Sequence, residues 1–380
     1  MKQSALFLLT LAILTTCTTN EVDYDGFVTR LGDDTLAVES FKLDGNVFVA
    51  EVVVRSPRTI LTKYIAKIND VGGIDSLMEY RFDPKIGYNG YGTLARSIVT
   101  EGDSLNISFL RDGETRSIMI SKNENILPFI EYTHWPFELA LLQTGSEDST
   151  MVPMLIGSRS RDFLLTNQGD NTKTVRHPSR GVMLVTVNAV GELETLDAAQ
   201  TTRKLFVERT GGQDVETAAK QFADAEANGK GFGSLSGAIV EEFEVRGVNF
   251  RVDYGSPSKR GRDLFGGIVP YGERWRTGAN RATHIQFDRD ITIGGVAALA
   301  AEYTLFSIPE EEGGVLIINT QTGQNGRSYN VELDLGRVEL HREVNPESVE
   351  SFTITVTETE DGGRLNLMWG NTIYYTDIKF

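Results

Sequence analysis

From residue 352 to residue 357 the chain reads Phe-Thr-Ile-Thr-Val-Thr, three large apolar side chains alternating with three threonines. Only an extended strand turns every second side chain to one face, so this period commits the segment to a half-buried strand. Residues 105–109 repeat the alternation. Residues 47–54, 182–187 and 315–318 are more continuously apolar, as strands covered on both faces are. Asp44-Gly45-Asn46, Arg111-Asp112-Gly113 and Asp361-Gly362-Gly363 punctuate the pattern with turn residues at short intervals. Short strands joined by such turns build antiparallel meanders rather than strand-helix-strand crossovers.

Two segments break the pattern. Between Asp214 and Ala227, Val215, Ala218, Ala219, Phe222 and Ala225 fall on one helical face, with Asp214 placed to cap the start and Asn228-Gly229 to end it. Residues 129–143 are aromatic-rich, and Pro136 suits the first turn of a short helix. The Gly/Ser-rich run over residues 230–237 reads as a linker. The expected fold is therefore mainly β. It comprises an N-terminal curved antiparallel sheet with one or two helices over residues 26–229, the linker, and a C-terminal β-sandwich over residues 238–380.

The N-terminus points to export. After Met1-Lys2-Gln3, residues 5–14 read ALFLLTLAIL, too short for the roughly 20 apolar residues of a membrane-spanning helix but fitting a signal peptide over residues 1–16. Leu14-Thr15-Thr16-Cys17 resembles the lipobox of bacterial lipoproteins, and Cys17 is the only cysteine of the chain. The resemblance implies lipidation at Cys17 and a short tether over residues 17–25 that holds the protein to the outer membrane of a cell envelope. Acidic residues soon after Cys17 resemble the surface-export signal of Bacteroidetes lipoproteins. With a net charge of −16, the surface repels phosphate backbones, so nucleic acid is not an expected partner.

The C-terminal region carries a second resemblance. Residues 254–266, Tyr-Gly-Ser-Pro-Ser-Lys-Arg-Gly-Arg-Asp-Leu-Phe-Gly, run on to 269–280, Val-Pro-Tyr-Gly-Glu-Arg-Trp-Arg-Thr-Gly-Ala-Asn. With residues 301–309, AEYTLFSIP, these resemble the bacterial domain of unknown function 2911 family over about the last 140 residues. Gly314 and Asn325 stand where tryptophans are common in that family. The resemblance implies an exported all-β domain; it assigns neither activity nor cofactor.

Catalytic motifs are sparse. His134, His177, His284 and His341 are far apart and show no metal-ligand spacing, and no GxSxG elbow accompanies the serines. No metal or cofactor is expected, and catalytic residues are unknown. One stretch stands out against the acidic background. Residues 254–283 hold Lys259, Arg260, Arg262, Arg274, Arg276 and Arg281 against only Asp263 and Glu273, among closely spaced glycines. Arginine forks on loops suit oxyanions, so Tyr254, Ser256, Lys259, Arg260, Arg262, Arg274, Trp275, Arg276 and Asn280 are candidate contacts for an acidic glycan or phosphate. The same cations would also serve to staple the loops to the sheet. A non-catalytic binding or scaffolding lipoprotein is the leading expectation. A hydrolase-like envelope enzyme and a carrier of hydrophobic ligands are the alternatives.

Overall fold

The computed structural model describes residues 24–144 and 147–380. The signal peptide, Cys17 and the tether up to Asp23 lie outside the described residues. The chain is mainly β: its strands form one sheet of fifteen and one of nine, with two α-helices, α1 (Trp135–Gln143) and α2 (Val215–Ala225), among the described residues.

In the first sheet the opening strand, Asp25–Leu31, lies in the middle, paired on one side with Asp34–Asp44 and on the other with the last strand, Phe206–Gly211. Outward from Asp34–Asp44 each strand follows in chain order to Glu114–Ser121 at one edge, while the other wing runs backwards through the chain to Leu127–Pro128. Two meanders thus join through their first and last strands, the uncrossed topology that short turns favour.

Helix α1 is apolar apart from Glu138 and Gln143, with seven of its nine residues buried, and such a helix is stable only when enclosed. One core gathers α1 with Ile98 and Ile107 from one wing and Phe163 and Val185 from the other, so the sheet curves around the helix. Trp135 is fully buried, 4.9 Å from the Phe48 ring and 5.8 Å from Tyr64. The concave side, where a carrier of hydrophobic ligands would hold its cargo, is thereby filled by the protein's own helix.

Helix α2 covers the opposite face. Val52 and Val53 are consecutive in the strand Val47–Val54 and so point to opposite sides. Val52 joins the α1 core, whereas Val53 packs with Val38, Leu61, Val215 and Ala219 beneath α2. Two-sided covering is the reason this strand reads as a continuous apolar run. Asp214 caps α2 as its position predicts, its carboxylate accepting from the Thr217 amide at 2.9 Å.

The second sheet begins at Ser236–Val245 and Val248–Pro257 and passes through Thr283–Phe287, Glu302–Pro309 and Gly313–Asn319 to the long hairpin Asp334–Thr359 and Gly362–Lys379. The first arm of that hairpin shifts register twice between Val344 and Thr353. Beyond those breaks it lies back over the opening strands. The Ser256 hydroxyl donates to the Phe352 carbonyl at 2.7 Å, and the Ile354 amide donates to the Tyr254 hydroxyl at 3.2 Å. Phe250, Val252 and Ile285 share one core with Phe352, Ile354 and Leu367, the two layers of a sandwich.

The run over residues 230–237 is not a bare connection. A strand already opens at Ser236, and Phe232 is buried in the first core with the Arg260 guanidinium 3.7 Å above its ring. One large apolar side chain in a Gly/Ser-rich run is enough to pin it, because its burial outweighs the freedom of its small neighbours.

Candidate anion-binding site

The loop over residues 258–282 leaves the strand Val248–Pro257 and folds flat against it. Gly255 permits this approach, since a Cβ there would sit 1.8 Å from the Ala279 carbonyl oxygen. The Ala279 amide instead donates to the Gly255 carbonyl at 3.0 Å. Thr277 and Asn280 hold φ of +51° and +64°. Such strain in non-glycine residues persists only where surroundings enforce it, and it gathers at binding sites. Here the buried Thr277 hydroxyl donates to Ser307 Oγ at 2.9 Å, and the Asn280 amide reaches the Ser236 carbonyl at 3.3 Å.

This loop forms one wall of a cleft of about 780 Å³ that lies between the two sheets. Four of the nine candidate residues face it: Arg262, Trp275, Arg276 and Asn280. Trp275 is half-buried, parallel to Trp369 at 6.1 Å and packed edge-to-face on Phe352 at 4.9 Å and Phe265 at 6.0 Å, so its indole is already engaged by the protein's own rings.

The other five are placed elsewhere, each for a visible reason. Tyr254 and Ser256 are in the sandwich core, holding the returning strand as described, so neither offers a surface to a sugar. Arg260 is a staple: it pairs with Asp34 at 2.7 Å, donates to the Phe232 carbonyl at 2.8 Å and lies on the Phe232 ring. Its carbonyl accepts from the Asp33 amide at 3.1 Å, a contact that needs glycine at position 32, where a Cβ would sit 1.8 Å from that oxygen. Lys259 is anchored by its backbone to the Glu350 carbonyl at 2.7 Å. Arg274 lies on the outer face, 3.9 Å above the Tyr329 ring.

The opposite wall supplies what sequence reasoning missed. Arg180, Arg203 and Lys204 come from two turns of the first sheet, and Arg327 from a loop of the second. No local pattern marks them, because one or two cations in an ordinary turn are no anomaly. The cleft therefore has five arginines and one lysine on its walls and no aspartate or glutamate.

These cations are poorly satisfied. Arg276 donates to the Asn280 carbonyl at 3.2 Å, Arg327 to the Ser179 carbonyl at 2.9 Å, and Arg262 to the Lys259 carbonyl at 3.0 Å; in each case the partner is a neutral carbonyl. Burial, then the neighbouring Arg327, pulls the Arg276 pKa below its ordinary value. Burial followed by Arg260 does the same at Arg262, where Glu350 opposes it. At Lys204 burial is followed by Arg262, with Glu273 opposing. Only Arg180 and Arg203 meet a carboxylate, that of Glu131.

Away from the cleft, Glu39 and His134 meet, with Thr29 beside them, and all three are buried in the first sheet. The Glu39 carboxylate accepts the His134 and Trp135 amides at 2.7 and 3.1 Å and so caps α1. Among the described residues no three His, Cys, Asp or Glu side chains converge to hold a metal ion. No described helix is long and apolar enough to cross a membrane.

No curated protein matches the chain. Among solved structures it is similar to a DUF1089 family protein from Pseudomonas aeruginosa, at 11% identity over 49% of this chain and 94% of that one, with a TM-score of 0.31. Residues 237–378, the sandwich that carries Arg262, Trp275, Arg276 and Asn280, match the family described as a protein of unknown function, DUF2911.

Proposed function

We propose that this protein is a non-catalytic binding module of the cell envelope that takes an anionic ligand, an acidic glycan or a phosphate-bearing molecule, into the cleft between its sheets. The observation that carries the reading is the set of six cations facing one space whose walls hold no carboxylate, four of them, Lys204, Arg262, Arg276 and Arg327, without a carboxylate partner, in a chain of net charge −16. Like charges in a partly desolvated space repel, and an unpaired buried charge is costly. An oxyanion replaces repulsion with attraction, and arginine forks hold it through paired hydrogen bonds. The outer, acidic surface turns away extended polyanions, which leaves small or terminal anionic groups as the class that enters.

Residence in the envelope is supported by the apolar leader and the single Cys17. Cys17→Ser is expected to release the protein from membranes and abolish fatty-acid labelling; unchanged retention would contradict the lipid anchor.

The binding reading is tested by calorimetric titration with glucuronic acid and with inorganic phosphate. Arg276→Ala should weaken binding about tenfold or more, the 1.5–3 kcal/mol of a lost charged hydrogen-bond partner. Arg274→Ala, outside the cleft, should leave it unchanged. Affinity should fall as salt rises, since screening acts over about 10 Å at 0.1 M. Absence of binding, or equal losses in the two variants, would contradict the proposal.

A further inference from the structure

Two loops of the second sheet meet at a glycine on the wall of the cleft. Arg281 and Asn325 form an isolated bridge between them, and a Cβ at Gly326 would sit 2.8 Å from Arg276 Cδ. Glycine lets the Arg276 stem lie across the backbone immediately before Arg327, so the two arginines reach the cleft from adjoining positions. Each spends one nitrogen on a neutral carbonyl: Arg276 on that of Asn280 at 3.2 Å, Arg327 on that of Ser179 at 2.9 Å. A guanidinium has five N–H donors, so most of each fork is left for a ligand. Both are within reach of one, Arg276 half-buried and Arg327 exposed. Burial, then Arg327, lowers the Arg276 pKa, so the two charges act on each other.

The charge of the pair selects among oxyanions. A carboxylate between two guanidinia balances one of their charges and leaves the other. A phosphate monoester carries about −1.5 to −2 at pH 7 and three acceptor oxygens, enough to meet both forks. The remaining lining indicates what bears the phosphate. At about 780 Å³ the cleft falls among small-molecule sites, roughly 300–1,000 Å³, and one phosphate fills little of it. Gln200, Thr202 and Asn325 are exposed along its walls, neutral donors and acceptors that suit hydroxyl groups.

Resting on the reading of the cleft as an anion site, we propose that its ligand is a phosphate monoester of a small hydroxylated molecule, a sugar phosphate. Its dianionic phosphate seats between Arg276 and Arg327, and its hydroxyls face the neutral lining.

The second ionisation of such a phosphate, near pH 6, supplies a readout that a merely cationic surface lacks. The cleft walls carry no histidine or carboxylate. Behind them stand His177, whose pKa burial and then Arg180 push down to about 4, and Glu131 on Arg180 and Arg203. Glu273 acts on Lys204 and Glu350 on Arg262, while His284 accepts from the Gly323 amide at 3.3 Å. These groups act on a carboxylate ligand as well. Glucuronic acid, ionised at pH 5.5 and above, therefore serves as the reference against which the phosphate's own titration is read.

Glucose 6-phosphate, glucuronic acid and inorganic phosphate are titrated calorimetrically into the protein at pH 5.5 and pH 7.5. At pH 7.5 glucose 6-phosphate should bind at least tenfold more tightly than glucuronic acid, and inorganic phosphate, which lacks the hydroxylated body, more weakly than glucose 6-phosphate. At pH 5.5 the advantage over glucuronic acid should shrink about threefold. In Arg327→Gln it should largely close at both pH values, whereas Arg274→Ala, outside the cleft, should keep it. The pH comparison needs no variant and stands if Arg327→Gln fails to fold. Equal affinity for the two acids, a ratio unmoved by pH, or an advantage that survives in Arg327→Gln overturns the phosphate seat and leaves the cleft intact. Inorganic phosphate binding as tightly as glucose 6-phosphate overturns the sugar. Failure of all three to bind overturns the cleft, and the phosphate seat with it.

Discussion

His177 shows how strongly burial sets the charge state of a single side chain. Burial, then the Arg180 guanidinium, lowers its pKa to about 4, with Glu131 acting in the opposite sense. An unfolded histidine titrates near 6.5, so between about pH 4 and pH 6.5 the unfolded chain binds a proton that the folded one does not. Stability from this residue is therefore complete above the unfolded value and is lost as pH falls through the window, by up to about 3 kcal/mol. His177→Phe should narrow the difference between urea midpoints at pH 4.5 and pH 7 relative to wild type; an unchanged difference would remove His177 from the account. At this scale the sequence was half informative. The cluster of cations around residues 259–276 was legible because charges of one sign in an acidic chain are a local anomaly. Which of them face a ligand was not, because Arg260 and Arg276 differ only in what the fold brings to them: Asp34 and Phe232 to the first, a carbonyl and another arginine to the second.

Elements were more legible than residues. Alternation at residues 352–357 and the turn signals at Gly45 and Gly113 lead directly to strands and hairpins, because a period of two has one structural solution. Helix α2 follows from its apolar stripe and Asp214 cap. Helix α1 carries no stripe, and its cap is supplied by Glu39, a residue 95 positions earlier in the chain. A helix terminus capped across the fold leaves no local signature. Glu39→Gln retains the shape but removes the charge and sets an amide donor against an amide donor. It should cost about 2 kcal/mol or more, with hydrogen exchange at the His134 and Trp135 amides accelerating more than in the second sheet. Uniform acceleration in both sheets would instead indicate that α1 is not locally anchored.

At the scale of the whole molecule, each sheet closes its own core, Phe27 to Phe232 in one and Val245 to Ile378 in the other. The contacts that cross between them include the Arg260 staple to Asp34 and Phe232, the Asp33 amide donating to the Arg260 carbonyl, and Arg327 reaching the Ser179 carbonyl at 2.9 Å. The cleft belongs to neither sheet alone. Arg180, Arg203 and Lys204 stand on one side and Arg262, Arg276 and Arg327 on the other. That division explains why motif reading along the chain finds only one wall: the two meet by packing, not by spacing. It also yields the sharpest test of the account. Glucuronic acid is titrated into residues 18–380 and into the separate fragment of residues 236–380, with a thermal melt of each. The account predicts that both melt cooperatively, that the longer protein binds with an affinity that falls as salt rises, and that the fragment, deprived of Arg180, Arg203 and Lys204, binds at least tenfold more weakly. Equal affinity in the two, or no binding by the longer protein, would contradict a site built between the sheets.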